Sequence, residues 1–274
     1  MKVDLCVFLA GNNLNGYVPL FFESLKRNCT ISDLCIHVVE KGNFVMPDDW
    51  DGMPIMDHYA PGVGDNVHNY LLKLQREMGV PFEIYEKHDP REFFIRSTPY
   101  EPSWHLASDH ANTMHWAMSN CGTNNWIIFA HSDVIFMGDI IASLIEDMKD
   151  IAGMLGVHSH IMAINRYAYQ HLGIKFNSIS AFYAVKATDY GSGLHVVRHI
   201  NDPECIDRSI PLFGWDTGEL LRLIMIAHGW KCDIYKNEKY IKAVWHGGSG
   251  HGYGFKGPNE RLDRFLQIFG ISRI

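Results

Sequence analysis

The polar residues that most clearly suggest chemistry follow an apolar segment in the middle of the chain. Asp133 comes just after the apolar run at 126–130, and His131 precedes it by two residues. In an extended chain, residues two apart lie on the same side. A carboxylate and an imidazole together suit a divalent cation such as Mn²⁺ or Mg²⁺. A turn capped by Asp133 with a hydrogen-bonded His131 agrees equally well with the pattern.

A second feature is the glycine-rich run at 246–254, which contains five glycines and begins with His246. Glycine lets backbone N–H groups approach an anion closely, so Gly248 and its neighbours, with Lys256 just beyond, suit a phosphate. The run is not a P-loop, because no Gly-Lys-Ser or Gly-Lys-Thr follows it. An ordinary surface loop is the alternative.

Two carboxylates stand near the start of a predicted helix in the second half. Asp216 precedes the helix and Glu219 follows three residues later. This is the spacing of a capping box, in which Asp216 would be structural. The same position suits a general base beside a bound sugar. The spacing alone leaves both interpretations open.

Two further residues are weaker candidates for ligand binding. Glu40 ends a predicted strand, where its carboxylate can accept a hydrogen bond from a base or a ribose, or simply close a turn. His110 lies within the apolar arc of a predicted helix, where a hydrogen-bonded core histidine is the more ordinary interpretation.

The elements that must position these residues alternate between strand and helix in the first half. Apolar runs predict strands at 3–9, 34–39, 82–86 and 126–130. Helical spacing predicts helices at 18–27, 66–78, 104–120 and 139–148. This order predicts an α/β fold with a mainly parallel twisted sheet flanked by helices. In such sheets, ligands bind at the carboxyl ends of the strands.

The second half is less regular. Residues 153–212 show no clear periodicity apart from a predicted strand at 179–185, and a helix is predicted at 217–228. Closing strands are predicted at 232–235 and 241–245. With no linker or internal repeat, we expect a single domain spanning 1–274.

Composition excludes several classes of function. The formal charge is −7, from 24 Lys and Arg against 31 Asp and Glu, and no basic run occurs. Nucleic acid and anionic membrane surfaces are therefore unsuitable partners. No apolar stretch is long enough for a transmembrane segment. The six cysteines show no disulfide framework, and the first ten residues read as a strand, so we expect a cytoplasmic protein.

Taken together, these motifs resemble the GT-A-type glycosyltransferases, nearest to the family 2 group. The resemblance follows the chain order over most of its length. The segments that carry it are 11–13, 38–43, 126–134 and 214–219, together with His246. It implies a nucleotide-sugar-binding half at 1–137 and an acceptor-side half at 138–274.

The resemblance also implies roles for individual residues. Asp133, His131 and His246 would hold Mn²⁺ or Mg²⁺, and Asp216 and Glu219 would be catalytic. The residues expected to bind the nucleotide are Gly11, Asn12, Glu40, His110, Ser132, Gly248 and Lys256. The implied reaction transfers a sugar from a nucleotide-diphosphate sugar, with UDP favoured, to a hydroxyl of a glycan, lipid or protein, with inversion.

One departure from the family pattern concerns the metal. The family's acidic motif has a carboxylate at the position of His131, so only Asp133 is retained. The sequence leaves open whether His131 replaces the missing contact. A non-catalytic nucleotide- or carbohydrate-binding protein is therefore an alternative.

Two enzyme classes remain as further alternatives. A sugar-nucleotidyltransferase shares a similar sheet, but the arginine of its opening loop is absent from residues 9–13. A zinc hydrolase is disfavoured because no HExxH or comparable ligand spacing occurs.

Overall fold

The computed structural model describes most of the sheet and its flanking helices. The described residues are 1–9, 17–41, 64–79, 81–88, 106–148, 152–157, 160–173, 176, 218–234, 237–246 and 260–270. The strands are β1 (Val3–Leu9), β2 (Leu34–Lys41), β3 (Phe82–His88), β4 (Trp126–His131), β5 (Val134–Phe136), β6 (Ala152–Val157), β7 (Ile161–Asn165), β8 (Lys231–Asp233) and β9 (Val244–His246). The helices are α1 (Tyr17–Asn28), α2 (Gly64–Met78), α3 (Leu106–Asn120), α4 (Ile140–Asp147), α5 (Arg166–Leu172), α6 (Glu219–Ala227), α7 (Glu238–Ala243) and α8 (Glu260–Phe269).

A seven-stranded sheet organises these elements, in the order β3-β2-β1-β4-β7-β6-β8. Strands β1 to β4 are parallel to one another, and β7 is antiparallel to both β4 and β6. Strand β8 is parallel to β6. The predicted α/β class with a mainly parallel sheet is therefore confirmed. Strands from both halves of the chain belong to this one sheet.

The central strands β1 and β4 are apolar apart from Asp4 and His131, because both faces of the sheet are covered. Every residue of β1 and of β4 is buried. Their side chains alternate between two hydrophobic clusters: Leu5 and Val7 belong to one, and Cys6 and Phe8 belong to the other. Burial on both faces explains why these strands read in the sequence as continuous apolar runs.

The second half contains regular structure that the sequence did not predict. Strands β6 and β7 and helix α5 lie in the stretch interpreted as irregular, and α8 was not predicted. The predicted strand at 241–245 is correct only for its last two residues, which belong to β9, because residues 238–243 form α7. This helix begins after Asn237, whose side chain accepts a hydrogen bond from the Lys239 N–H at 3.0 Å. The predicted strand at 179–185 lies outside the described residues.

A small two-stranded sheet lies beyond the end of β4. Strands β5 and β9 pair in antiparallel fashion, with Val134 opposite His246 and Phe136 opposite Val244. The ladder joins the segment after β4 to the segment before the glycine-rich run. Residues far apart in sequence therefore meet at the carboxyl edge of the main sheet.

Two other sequence predictions concern the cysteines and the membrane. The five cysteines in the described part of the chain are free thiols. Among the helices that the structure describes, none has both the length and the apolar character needed to cross a bilayer.

Candidate metal centre

Asp133 lies in the tight turn that joins β4 to β5. The apolar strand β4 ends at His131, Ser132 and Asp133 form the turn, and β5 starts at Val134. Asp133 and Ser132 are both fully buried. A carboxylate held away from water is costly unless it is hydrogen-bonded or paired with charged groups or a metal. The side chains around Asp133 therefore decide its role.

His246 is brought to Asp133 by the small sheet. Because His246 is the last residue of β9 and pairs with Val134, it lies beside the turn. Its Nε2 atom lies 3.2 Å from Asp133 Oδ1, and its side chain is 16% exposed. The pairing of two short strands therefore builds this contact between residues more than a hundred positions apart.

His131 completes a cluster of three possible ligands. Its Nδ1 atom is 3.9 Å from Asp133 Oδ1, and its side chain is nearly buried. One ligand atom from each of His131, Asp133 and His246 can be chosen so that all lie within 4.8 Å of one another. Two imidazoles and a carboxylate at such separations form a donor set suited to a divalent cation. The residues present therefore fit the metal that the sequence suggested.

A third histidine packs against this cluster. The rings of His160 and His246 are stacked, with centroids 3.6 Å apart and planes 14° apart. The His160 ring also lies 5.7 Å from the ring of His131. His160 comes just before β7, so the β6–β7 pair brings it to the site. It was not among the predicted site residues, because its position depends on pairing of strands that the sequence did not reveal.

Helix α1 fixes the position of β5. The Phe136 N–H donates to Ser24 Oγ at 3.0 Å, and Asn28 Nδ2 donates to the Phe136 carbonyl at 2.7 Å. Ile135 is buried in a cluster with Tyr17, Leu20, Leu266 and Phe269. Both backbone groups of Phe136 are thus hydrogen-bonded by side chains of one helix. This arrangement restrains the turn that carries Asp133.

One residue of the predicted nucleotide site, Glu40, has its backbone at the same edge of the sheet. Glu40 is opposite Leu9 in the β1–β2 ladder, and Phe8 is opposite His131 in the β1–β4 ladder. Glu40 and His131 therefore lie at the same carboxyl edge, on strands that flank β1. The side chains of Glu40 and His110 lie outside the described part of the structure. So do four predicted residues: Gly11, Asn12, Gly248 and Lys256.

The start of α6 differs from the capping-box interpretation. The helix begins at Glu219, and its N-cap is Gly218, with a φ of 85° and no side-chain hydrogen bond at the cap. A capping box would have required Asp216 at that position, so this interpretation is wrong. A Cβ at position 218 would lie 2.8 Å from Met162 Cε, which shows how closely this turn packs on β7. Asp216 itself and the Glu219 side chain are outside the described residues.

A second buried carboxylate lies at the opposite edge of the sheet. Asp4, near the amino end of β1, is fully buried. Asp4 Oδ1 accepts a hydrogen bond from Asn124 Nδ2 at 2.6 Å and lies 3.2 Å from His37 Nε2. Asp4 Oδ2 accepts from Arg166 at 3.1 Å and from the Asn124 N–H at 3.0 Å. Burial opposes ionisation of Asp4, but the hydrogen bonds from His37, Asn124 and Arg166 outweigh it and lower its pKa.

Comparison with known proteins gives similarity in structure only. No protein-family model and no curated sequence matches the chain. It is similar to the galactosyltransferase LgtC in complex with donor and acceptor sugar analogues, with a TM-score of 0.49 and 9% identity over 99% of this chain and 97% of that one.

Two further similarities are to glycosyltransferases of greater length. A mannosyltransferase from Pyrobaculum calidifontis in complex with GDP-Man and Mn²⁺ has a TM-score of 0.38 and 13% identity, over 64% of this chain and 47% of that one. The glycosyltransferase GlyE of Streptococcus pneumoniae has a TM-score of 0.37 and 10% identity, over 64% of this chain and 36% of that one. At these identities and TM-scores the similarities assign neither a family nor residue roles, which depend on the site itself.

Proposed function

We propose that the chain is a metal-assisted glycosyltransferase that transfers a sugar from a nucleotide-diphosphate sugar to a hydroxyl acceptor. The observation that carries this proposal is the cluster of His131, Asp133 and His246 at the carboxyl edge of a mainly parallel sheet. Ligand sites in such sheets lie at that edge. A cation held there would lie beside the positions expected for the nucleotide phosphates.

The three clustered side chains would hold the cation. When bound, a divalent cation neutralises charge on a diphosphate leaving group. Asp133 supplies the anionic ligand, and the buried turn keeps its carboxylate in a fixed position. His131 and His246 supply neutral nitrogen ligands from the two sides of that turn.

The remaining roles are assigned to residues singled out in the sequence. Five residues contact the nucleoside: Glu40, Gly11, Asn12, His110 and Ser132. Gly248 and Lys256 donate hydrogen bonds to the diphosphate. Residues 1–137 thus supply most of the donor site.

The acceptor is activated from the other half of the chain. Asp216, close to Glu219 at the start of α6, removes the proton from the acceptor hydroxyl as its oxygen attacks the anomeric carbon in line with the departing diphosphate. Attack from the face opposite the leaving group inverts the anomeric configuration. We place the acceptor, a glycan, lipid or protein hydroxyl, against residues 138–274.

Calorimetric titration with UDP, GDP, CMP and dTDP, each with and without Mn²⁺, tests the donor site. Tight binding of one nucleotide only with the metal is expected, with UDP the favoured ligand. The same nucleotide linked to candidate sugars is then assayed for release of the diphosphate with and without a hydroxyl acceptor. Failure to bind any of the four nucleotides would overturn the proposal. Metal-dependent binding without turnover of any donor would instead favour a non-catalytic binding protein.

A further inference from the structure

Two of the three side chains in the candidate metal centre offer nitrogen rather than oxygen. Of its three clustered side chains, only Asp133 offers oxygen, whereas His131 and His246 offer imidazole nitrogen. Mg²⁺ prefers oxygen ligands and water, whereas imidazole suits Zn²⁺, Fe²⁺ and related transition-metal ions. With neutral imidazoles, the cluster also carries a single negative charge, which weakens its attraction for a small, strongly hydrated cation.

We propose that this centre selects a transition-metal ion of the Co²⁺ and Zn²⁺ class over Mg²⁺, and that His131 sets the preference. The inference rests on the metal-binding part of the proposed function and is independent of the sugar-transfer step. Among the three clustered residues, His131 is the one at which we replace the imidazole by a carboxylate. Its Nδ1 atom faces Asp133 at 3.9 Å, and it ends a strand whose backbone is fixed on both sides.

The proposal is tested on the full chain, stripped of metal with a chelator, by calorimetry with Co²⁺, Mn²⁺ and Mg²⁺ and by visible absorption of bound Co²⁺. The wild type should bind Co²⁺ at least about tenfold more tightly than Mg²⁺, as expected for imidazole ligation. His131→Asp should lower the ratio of Co²⁺ to Mg²⁺ affinity by about tenfold and change the Co²⁺ spectrum. The matched control is His228→Asp, at an exposed histidine that ends α6, and it should leave the ratio unchanged.

A second variant keeps the test decisive if the added carboxylate disturbs folding. His131→Gln stays neutral and similar in size, and it should weaken Co²⁺ binding while leaving Mg²⁺ binding nearly unchanged. Circular dichroism in chelator verifies that each variant is folded. A wild type that binds Mg²⁺ as tightly as Co²⁺, or an unchanged ratio in folded His131 variants, would overturn the inference. Nucleotide-sugar turnover supported by Mg²⁺ in that case would leave the proposed function standing. Conversely, a preference for Co²⁺ without turnover of any donor would support the inference and contradict the proposed transferase function.

The stacking of His160 carries an independent inference. Ring nitrogens direct their lone pairs within the ring plane, and the planes of His160 and His246 are nearly parallel at 3.6 Å. Their nitrogens therefore do not converge on one ion. We infer that His160 is a positioning residue, which holds the His246 ring in the orientation needed for coordination through Nε2.

Two substitutions separate stacking from ligation. His160→Ala should weaken Co²⁺ binding by about tenfold, the lower end of the range for residues that orient metal ligands. His160→Phe preserves a flat ring and should restore most of the affinity and the wild-type Co²⁺ spectrum. Wild-type affinity in His160→Ala would contradict the inference. Equal losses in both variants would also contradict it, because they would indicate that the imidazole nitrogen is itself required.

Discussion

Asp4 and Asp133 are two fully buried carboxylates at opposite edges of the same sheet, and their surroundings differ in kind. Asp4 contacts a permanent cation, because Arg166 donates to it directly. Asp133 forms its ion-pair contacts with His131 and His246, whose imidazoles need not be charged. A structural carboxylate is therefore distinguished from a candidate functional one by the chemistry of its partners and not by burial alone.

The Asp4 cluster links several elements of the fold through hydrogen bonds. Arg166 also donates to the carbonyls of Met118 and Cys121 at the end of α3. His37 Nδ1 lies 3.1 Å from the Tyr85 hydroxyl, which extends the cluster from β1 to β3. At the other edge, one ligand atom each of His131, Asp133 and His246 lies within 4.8 Å of the other two. In the first cluster both oxygens of the Asp4 carboxylate accept hydrogen bonds from protein groups, whereas the second cluster is a donor set suited to a bound ion.

The largest expected effect is the loss of metal binding and sugar transfer in Asp133→Ala. Asp133 is the only carboxylate of the three-residue cluster, so its removal takes away the anionic ligand. The variant should remain folded, because the imidazoles left behind can be neutral and no fixed charge is stranded. Co²⁺ calorimetry, donor turnover and thermal unfolding in chelator measure the three properties. Near-normal turnover by the folded variant would contradict the site assignment.

Asp4→Ala should give the opposite result, with a large loss of stability and intact metal binding. Removing this carboxylate leaves the Arg166 guanidinium buried without its anionic partner, which costs about 3–5 kcal/mol in comparable cases. Urea unfolding measures the loss, and Co²⁺ titration of the remaining folded protein measures the site. If Asp4→Ala is as stable as the wild type, or selectively loses metal affinity, then the conclusion that Asp4 stabilises the fold while Asp133 binds the metal is wrong.

The sequence revealed the first half of the fold more clearly than the second, for physical reasons. Strands β1 and β4 are buried on both faces, so continuous apolar runs marked them. Strand β6 contains Gly153 and Gly156, which lower its strand propensity, and it is stabilised by pairing with β7 and β8. Its existence therefore depends on tertiary contacts that periodicity does not report.

The candidate site was partly accessible from the sequence. The local spacing of His131 and Asp133 suggested that they lie together, as the structure has them, and resemblance to a family pointed to His246. His160 gave no local signal, because its contact with His246 depends on the β6–β7 pair and the β5–β9 ladder meeting at one edge. His160 was therefore missed because its placement depends on strand pairing that the sequence does not mark.

A smaller effect is expected from Gly122→Ala, which tests how closely the Asp4 cluster is packed. Gly122 has a φ of 71°, and a Cβ there would collide with the Asp4 carboxyl group. The strain and the collision together should cost about 1–3 kcal/mol in the free energy of unfolding. Gly173→Ala is the matched control, because Gly173 has a φ of 62° and no atom of the described residues within 4 Å of the added Cβ. Equal losses in the two variants would show that backbone strain alone is responsible.

The smallest effect concerns acid stability, which should depend on Asp4. Its pKa is lowered in the folded protein, because hydrogen bonds from His37, Asn124 and Arg166 outweigh the effect of burial. A lowered folded-state pKa contributes stability that is fully present above the unfolded-state pKa of about 3.9 and is lost as the pH falls through the folded value. Urea unfolding between neutral pH and about pH 2 should therefore show a steeper acid-side decline in the wild type than in Asp4→Asn. The variant should be less stable at neutral pH and flatter below about pH 4, and parallel curves would show that Asp4 does not titrate differently in the folded state.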